Sequence, residues 1–275
     1  MISILQLGTI DYATGLRLQQ SLVEMRKEGR IGDVLLLLEH HPVITLGRNA
    51  KAANVLVPSE QLAQRGVDVF ECDRGGDVTF HGPGQLVGYP IIDLRGFSSD
   101  DGKRKTLGAI EYVRRLEEVL IRTCADFEIN TQRISGLTGV WTASNHLGPD
   151  GPVWAAERKL GFDESAKIGA IGVHISRAVT SHGFALNVNT DLDYFNLIIP
   201  CGIRSKPVTS IAKELHRTIP LEKVAQSIAL NFGSVFHTRV QWLEKLEALT
   251  EKIGVPMKPP SEIRQLHKEQ DTHWS

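Results

Sequence analysis

The stretch DVLLLLEHHPVITLG, residues 33–47, narrows the possible folds more than any other part of the chain. Val34, Leu35, Leu36, Leu37 and Leu38 follow one another without a polar interruption. A strand wet on one face alternates apolar with polar residues, whereas an unbroken apolar run of this length reads as a strand covered on both faces. Pro42 and Gly47 bracket a second, shorter extended piece. A doubly covered strand needs packing elements above and below it, so the chain must build layers. With 275 residues, 41% of them hydrophobic, it has enough apolar side chain to fill them.

The neighbouring segments supply those layers. MISILQLG reads as a short strand. Asp11 caps a helix whose apolar positions Leu18, Leu22 and Met25 recur every three or four residues, and Gly29 stops it. VDVFECDRGGDVTFHGPGQLVGYPIIDL predicts two strands joined by a tight turn at the glycine cluster, followed by a loop at residues 81–85. Over residues 108–127, Ile110, Val113, Leu116, Leu120, Cys124 and Phe127 form one helical stripe. This places Cys124 in the core, with Arg114, Arg115, Glu117 and Glu118 off the stripe. Residues 142–166 have no period and read as an ordered loop or insertion. KIGAIGVHISRAVTSHGFALNV predicts a β-hairpin turning at Ser176, Arg177 and Ala178. Val224, Ile228, Phe232 and Val235 mark a later helix, Leu243, Leu246 and Leu249 hint at another, and the polar, proline-bearing end is expected to fray. Strands in groups with helices interspersed, and no clear linker, predict α/β architecture of the α+β type: a mixed β-sheet packed with helices in a single domain.

Charge and cysteine content exclude several classes of function. The 31 basic and 32 acidic residues nearly cancel, so no global field draws the chain to nucleic acid or a membrane surface. The amino terminus lacks the pattern of a secretory signal, and no apolar run is long enough to span a bilayer. Three cysteines at unrelated spacings argue against a disulfide framework and for a reducing compartment, so a cytoplasmic location is expected.

Among candidate chemical groups, Cys201 stands in NLIIPCGIRSKPVTSI, between proline and glycine directly after an apolar run. Such a thiol either fills a turn or is offered to a substrate as a nucleophile, and the residues alone leave both open. Lys167 opens a strand in SAKIGAIG, and is either a solvated strand-end lysine or an ammonium held against a thiolate. RGGDVTFHGPGQ is dense in special residues: Gly75 and Gly76 permit positive φ, Gly82, Pro83 and Gly84 fix a turn, and His81 and Gln85 offer polar groups at its edge. It is either an ordinary glycine-rich hairpin or a wall presenting N–H groups to a narrow tunnel or an anion. His182 reads as a hydrogen-bonded histidine of the second hairpin strand. His40 and His41, adjacent on a strand, point to opposite faces and do not share a metal. With no HExxH, no paired CxxC, no P-loop and no dinucleotide fingerprint, neither a metal nor a cofactor is expected. The aromatic residues are too few and scattered to stack nucleic-acid bases.

Taken together, LLLEHHPVITLGR, RGGDVTFHGPGQLVGYPIIDLR, GLTGVW, KIGAIGVHISRAVTSHGFALNVNTDLDYFNLIIPCGI and VTSI resemble the lipoyl(octanoyl) transferases of lipoate biosynthesis, in the family's order from about residue 34 to residue 211. The resemblance implies a fold like the biotin and lipoate protein ligases. It also implies transfer of octanoyl from octanoyl-acyl carrier protein to a lysine ε-amine of apo lipoyl domains, those of 2-oxoacid dehydrogenases and the glycine cleavage H protein, through a cysteine thioester. Cys201 falls on the family's nucleophile and Lys167 on its partner lysine. Arg74, Gly75, Gly76, Thr79, His81, Gly82, Gly84, Gln85, Ala170, Ile171, Gly172, His182, Gly183 and Ala185 fall on the substrate-binding wall, with Thr209 and Ser210 as further hydroxyl or N–H donors.

Four features depart from the family pattern: His41 stands in place of a second proline, His174 in place of arginine, Pro207 in place of glycine, and the loop over residues 142–166 is long. None touches the pair. The alternatives are an ATP-dependent ligase, a cysteine amidotransferase acting between lipoyl domains, and a catalytically silent acyl-protein binding module. A ligase has no need of a nucleophilic cysteine, and a silent module has no reason to keep both Cys201 and Lys167. A catalytic domain over residues 1–236 with a helical or extended tail over residues 237–275 is expected, acting as a monomer. Lys103, Arg104 and Lys105 form a basic triplet that is either a solvated loop or a dock for the acidic carrier protein.

Overall fold

The computed structural model describes residues 1–100, 102–143, 165–203 and 206–249. Its elements run in the order β1 (Ile2–Ile10), α1 (Tyr12–Lys27), β2 (Asp33–His40), β3 (Val43–Leu46), α2 (Ser59–Gln64), β4 (Asp68–Glu71), β5 (Val78–His81), β6 (Gln85–Ile91), α3 (Ala109–Asp126), β7 (Thr131–Ile134), β8 (Leu137–Thr142), β9 (Lys167–Ser176), β10 (Val179–Asn187), α4 (Ile211–Leu215), α5 (Leu221–Val235) and β11 (Val240–Trp242), with short 3-10 turns between them. Eight strands form one mixed sheet in the order β11-β1-β2-β6-β10-β9-β8-β7. β4, β3 and β5 form a second, three-stranded sheet with β3 in the middle.

The apolar run of β2 explains the layering. Leu35 and Leu37 enter a core shared with α3 and α5, whereas Val34, Leu36 and Leu38 enter a core on the other face, beneath α1. All five are at most 1% exposed. At about 1.5–3 kcal/mol for each fully buried side chain of this size, the strand is among the strongest determinants of the fold. Asp11 accepts from the Thr14 N–H at 2.8 Å and caps α1, and Gly29 follows the helix at φ 71°. The hairpin β9–β10 turns at Arg177 and Ala178, both with positive φ, as a two-residue hairpin turn requires.

Several expectations change. β4 and β5 are not a hairpin pair: β3 lies between them, parallel to β4 and antiparallel to β5. Periodicity sets which face a strand buries but not which strand it pairs with. Ile110, assigned to the buried stripe of α3, is 80% exposed at the helix start. Arg115 and Glu117, assigned off the stripe, are buried at 7% and 0% exposure. In the interior Glu117 is met by Arg114 and Arg133, which pair with it, and by the Gly139 N–H, which donates to it at 3.1 Å. Among the described residues a four-residue 3-10 turn, Leu246–Leu249, stands where Leu243, Leu246 and Leu249 hinted at a helix. β11 pairs with β1 and Leu246 is fully buried, so the packed body continues past residue 236. Most of the expected insertion, residues 144–164, and the tail from residue 250 lie outside the described residues.

Candidate active site

Lys167 and Cys201 are 34 positions apart in sequence and meet because the chain after Cys201 returns to the start of β9. The Lys167 N–H donates to the Pro207 carbonyl at 2.8 Å and the Thr209 N–H donates to the Lys167 carbonyl at 2.9 Å, a short parallel bridge centred on Val208. This register brings Lys167 Nζ to 3.3 Å from Cys201 Sγ. The ammonium also donates to the Thr138 carbonyl at 3.1 Å and lies 4.7 Å from the centroid of the Trp141 ring. A carbonyl and an aromatic face hold a cation in place without neutralising it, as a carboxylate would. Gly139 makes room for this arrangement: at φ 121°, a Cβ there would sit 2.6 Å from the Gly169 carbonyl and 3.2 Å from Lys167 Cε. Because the Gly139 N–H binds Glu117, helix α3 braces the strand segment that holds the lysine.

Cys201 sits in a 3-10 turn, Pro200–Gly202, at φ 55° and ψ 20°. A non-glycine residue in this left-handed region costs about 1–3 kcal/mol and persists only where its surroundings fix it. They do so here: the Ile199 N–H donates to the Asn54 carbonyl at 2.8 Å, and Gly202 lies so close to Asp77 that a Cβ would be 2.7 Å from its carboxylate. Asp77 is itself held by Asn54 Nδ2 at 2.6 Å and by the Lys51 and Val78 N–H groups.

Cys201 lines a pocket whose empty space, counted together with the solvent it opens to, is about 480 Å³. Of the residues expected on the wall, Arg74, Gly75, Gly76, Thr79, His81, Ala170, Ile171, Gly172, His182, Gly183 and Ala185 line it. Gly82, Gly84 and Gln85 do not. Gly82 packs on the Phe80 ring, the Gly84 N–H donates to Glu39 at 2.6 Å, and Gln85 stands behind His81. Thr209 and Ser210 also serve the scaffold: the Thr209 hydroxyl binds Glu214 and the Ser210 side chain caps α4. Tyr12, Val87, Tyr89 and Phe184 line the pocket without having been singled out, because buried strand and helix residues of these types look like ordinary core in sequence; Asp77, a half-buried loop carboxylate, also lines it.

The polar side of the pocket is a set of histidines around one arginine. Arg74 is buried and meets no carboxylate among the described residues; it donates to the Thr45 carbonyl at 2.7 Å, to the Thr45 hydroxyl and to the Gly75 carbonyl. Gly172 lets the arginine's loop lie on β9, since a Cβ there would be 2.7 Å from the Gly75 carbonyl. Burial, with neighbouring His40 and the Arg74 charge adding to it, pushes the His81 imidazole down to about 3. Burial likewise pushes His40 down to about 4; His40 binds the Ile10 carbonyl at 2.9 Å and the Tyr89 hydroxyl at 2.7 Å. His182 has positive φ and bonds through Nε2 to Asp73 at 2.7 Å; burial outweighs that carboxylate and lowers its pKa below the ordinary value. Asp73 also binds His174 at 3.1 Å, so the histidine that departs from the family's arginine shares a carboxylate with His182. The basic triplet lies apart from the pocket, with Arg104 paired to Glu111 at 3.2 Å.

A thiol 3.3 Å from a lysine amine, beside a partly apolar pocket on a mixed sheet with helices on both faces, is an arrangement suited to acyl transfer. The fold itself is shared with solved structures. The bi-partite lipoate protein ligase of Thermoplasma acidophilum superposes with a TM-score of 0.62, covering 98% of this chain and 91% of that one at 16% identity. The family model of the lipoyl protein ligase A/B catalytic domain matches residues 11–233. An octanoyltransferase of Koribacter versatilis is 56% identical over 99% of both chains, and one of Acidobacterium capsulatum is 57% identical over 89% of this chain and 94% of that one. The chain belongs to the octanoyltransferase family and is an acyltransferase. The expected transfer of an octanoyl group in protein lipoylation stands on that membership.

Proposed function

We propose that Cys201 carries the octanoyl group as a thioester between octanoyl-acyl carrier protein and the lysine ε-amine of an apo lipoyl domain, in a cytoplasmic enzyme. The 3.3 Å contact between Lys167 Nζ and Cys201 Sγ carries this reading. The Cys201 thiolate, with the Lys167 ammonium beside it, attacks the carbonyl of the donor thioester. The bond to the pantetheine sulfur breaks, and that sulfur leaves with a proton from Lys167. In the second half the acceptor amine attacks the Cys201 thioester, the C–N bond forms, and the Cys201 sulfur leaves while Lys167 takes up the proton that the nitrogen sheds. The first step exchanges one thioester for another and the second forms an amide, which is downhill, so neither needs ATP.

The pocket supports an acyl substrate. Val87, Ile171, Phe184 and Ala185 supply an apolar wall for an eight-carbon chain, while Arg74, Thr79, His81 and His182 supply the polar groups for its reacting end and carrier arm. The catalytic domain proposed spans residues 1–236 and the tail residues 237–275, and the pairing of β11 with β1 and the burial of Leu246 pack the start of that tail on the domain. The acceptors proposed are the lipoyl domains of 2-oxoacid dehydrogenases and the glycine cleavage H protein.

The test is a two-stage single turnover. Enzyme acylated with octanoyl-acyl carrier protein and freed of donor is mixed with apo lipoyl domain, without ATP. The octanoyl mass is expected to leave the enzyme and appear on the domain's lysine. A transfer that proceeds only with ATP and free octanoate would instead establish a ligase.

A further inference from the structure

Behind the pocket wall lies a chain of buried amides with a single consistent direction. Asn187 Nδ2 donates to the Thr209 carbonyl at 2.9 Å, so its Oδ1 is the acceptor for Gln85 Nε2, also at 2.9 Å. Gln85 Nε2 donates in addition to the Phe80 carbonyl at 3.1 Å. Both ends are backbone carbonyls, which only accept, and neither amide can flip without setting oxygen against oxygen. Gln85 Oε1 is therefore an acceptor, and the His81 nitrogen 2.7 Å away from it, Nδ1, must carry a proton. Gln85 and Asn187 are 2% and 5% exposed, so water does not compete for these bonds.

His81 itself lines the pocket, and its second ring nitrogen meets no partner among the described residues. Burial among Arg74 and the other histidines keeps the ring neutral. A neutral ring protonated at Nδ1 has a bare lone pair at Nε2. Arg74, on the same wall, only donates.

We infer that Gln85 and Asn187 are positioning residues that lock His81 in the Nδ1-protonated form, so that Nε2 accepts a hydrogen bond from a substrate N–H. This deepens the octanoyl-transfer reading and rests on it for the identity of the substrate. The N–H has two possible sources, the amides of the donor's pantetheine arm and the attacking lysine nitrogen. The first acts in enzyme acylation and the second in transfer to the acceptor. Because the relay ends at Thr209, whose own N–H binds Lys167, one hydrogen-bonded frame fixes both the dyad and the histidine.

The test begins with the unmodified full-length enzyme, labelled with nitrogen-15 histidine and read by long-range proton–nitrogen correlation at neutral pH. His81, assigned by comparison with His81→Gln, is expected to show a protonated Nδ1 and a bare Nε2. A proton on Nε2, alone or on both nitrogens, overturns the inference without any reference to octanoyl chemistry. Gln85→Leu, which removes the acceptor at nearly constant volume, is then expected to move the proton to Nε2. It is also expected to slow at least tenfold whichever half-reaction supplies the N–H, as followed by intact mass with octanoyl-acyl carrier protein and then apo lipoyl domain. Asn187→Leu, which leaves the Phe80 bond in place, is expected to have the same effect in weaker form. It serves as the variant for the kinetic reading should Gln85→Leu fail to fold. A shifted tautomer with both half-reactions at wild-type rate would also overturn it.

Discussion

Two cysteines of this chain, Cys201 and Cys124, show how the same side chain is made available or silent. Cys124 sits on the inner stripe of α3, fully buried among leucines, and burial pushes its thiol up to about 12. Cys201 sits in a left-handed turn at a pocket, half-buried, 3.3 Å from an ammonium. A regular helix gives a cysteine neither exposure nor a fixed cation, and an irregular turn held from several sides can give both. The strained backbone at Cys201 belongs to the site for that reason: a relaxed strand or helix would turn the sulfur into the core.

The largest effect expected is at the cation. Lys167→Met retains bulk against Trp141 but removes the charge, and single-turnover acylation is expected to slow by about 10²–10⁴-fold with the melting temperature little changed. An unchanged acylation rate would erase the distinction between the two cysteines. A smaller effect lies in the core. Cys124→Ala is expected to cost on the order of 1–2 kcal/mol in urea denaturation while acylation proceeds at the wild-type rate. A loss of activity without loss of stability would give Cys124 a role that its burial denies.

The smallest effect is a pH dependence that the silent cysteine should produce. Its folded-state pKa of about 12 lies above the ordinary value of 9.0, so the fold holds a proton that the unfolded chain releases. That contribution is complete below pH 9 and is lost as pH rises toward 12, amounting to about 1 kcal/mol between pH 9 and 10. Over that interval wild type is expected to lose stability faster than Cys124→Ala. Equal slopes would mean that the thiol is not buried as described.

The parts of the fold that sequence reveals are those governed by local pattern. The β2 run, the Asp11 cap, the Arg177–Ala178 turn and the stripe of α5 each follow from residues close in the chain. The strand order, by contrast, is set by long-range pairing, which is why β3 between β4 and β5 went unread, as did the β7–β8 hairpin. The buried Glu117 and Arg115 looked like solvent positions because helical periodicity counts charge as exposure. Their partners, Arg133, the Gly139 N–H and Asp100, come from elsewhere in the chain.

At the site, the turn around Cys201 was conspicuous, but only family resemblance named Lys167 as its partner. No spacing rule links residue 167 to residue 201, because the bridge through Val208 is tertiary. Thr138, Trp141 and Asn187, which hold the lysine and the relay behind His81, carry no local signal. Gln85 was singled out, though for the wall and not for what stands behind it.

The account's central claim is that the sulfur of Cys201 carries the acyl group, and it is tested most directly by weighing the protein. After incubation with octanoyl-acyl carrier protein, wild type is expected to gain the mass of one octanoyl group, mapped by peptide fragmentation to Cys201 and released by hydroxylamine. Cys201→Ser is expected to gain no such labile mass. A hydroxylamine-labile adduct that persists in Cys201→Ser, or maps to Cys72 or Cys124, would contradict it.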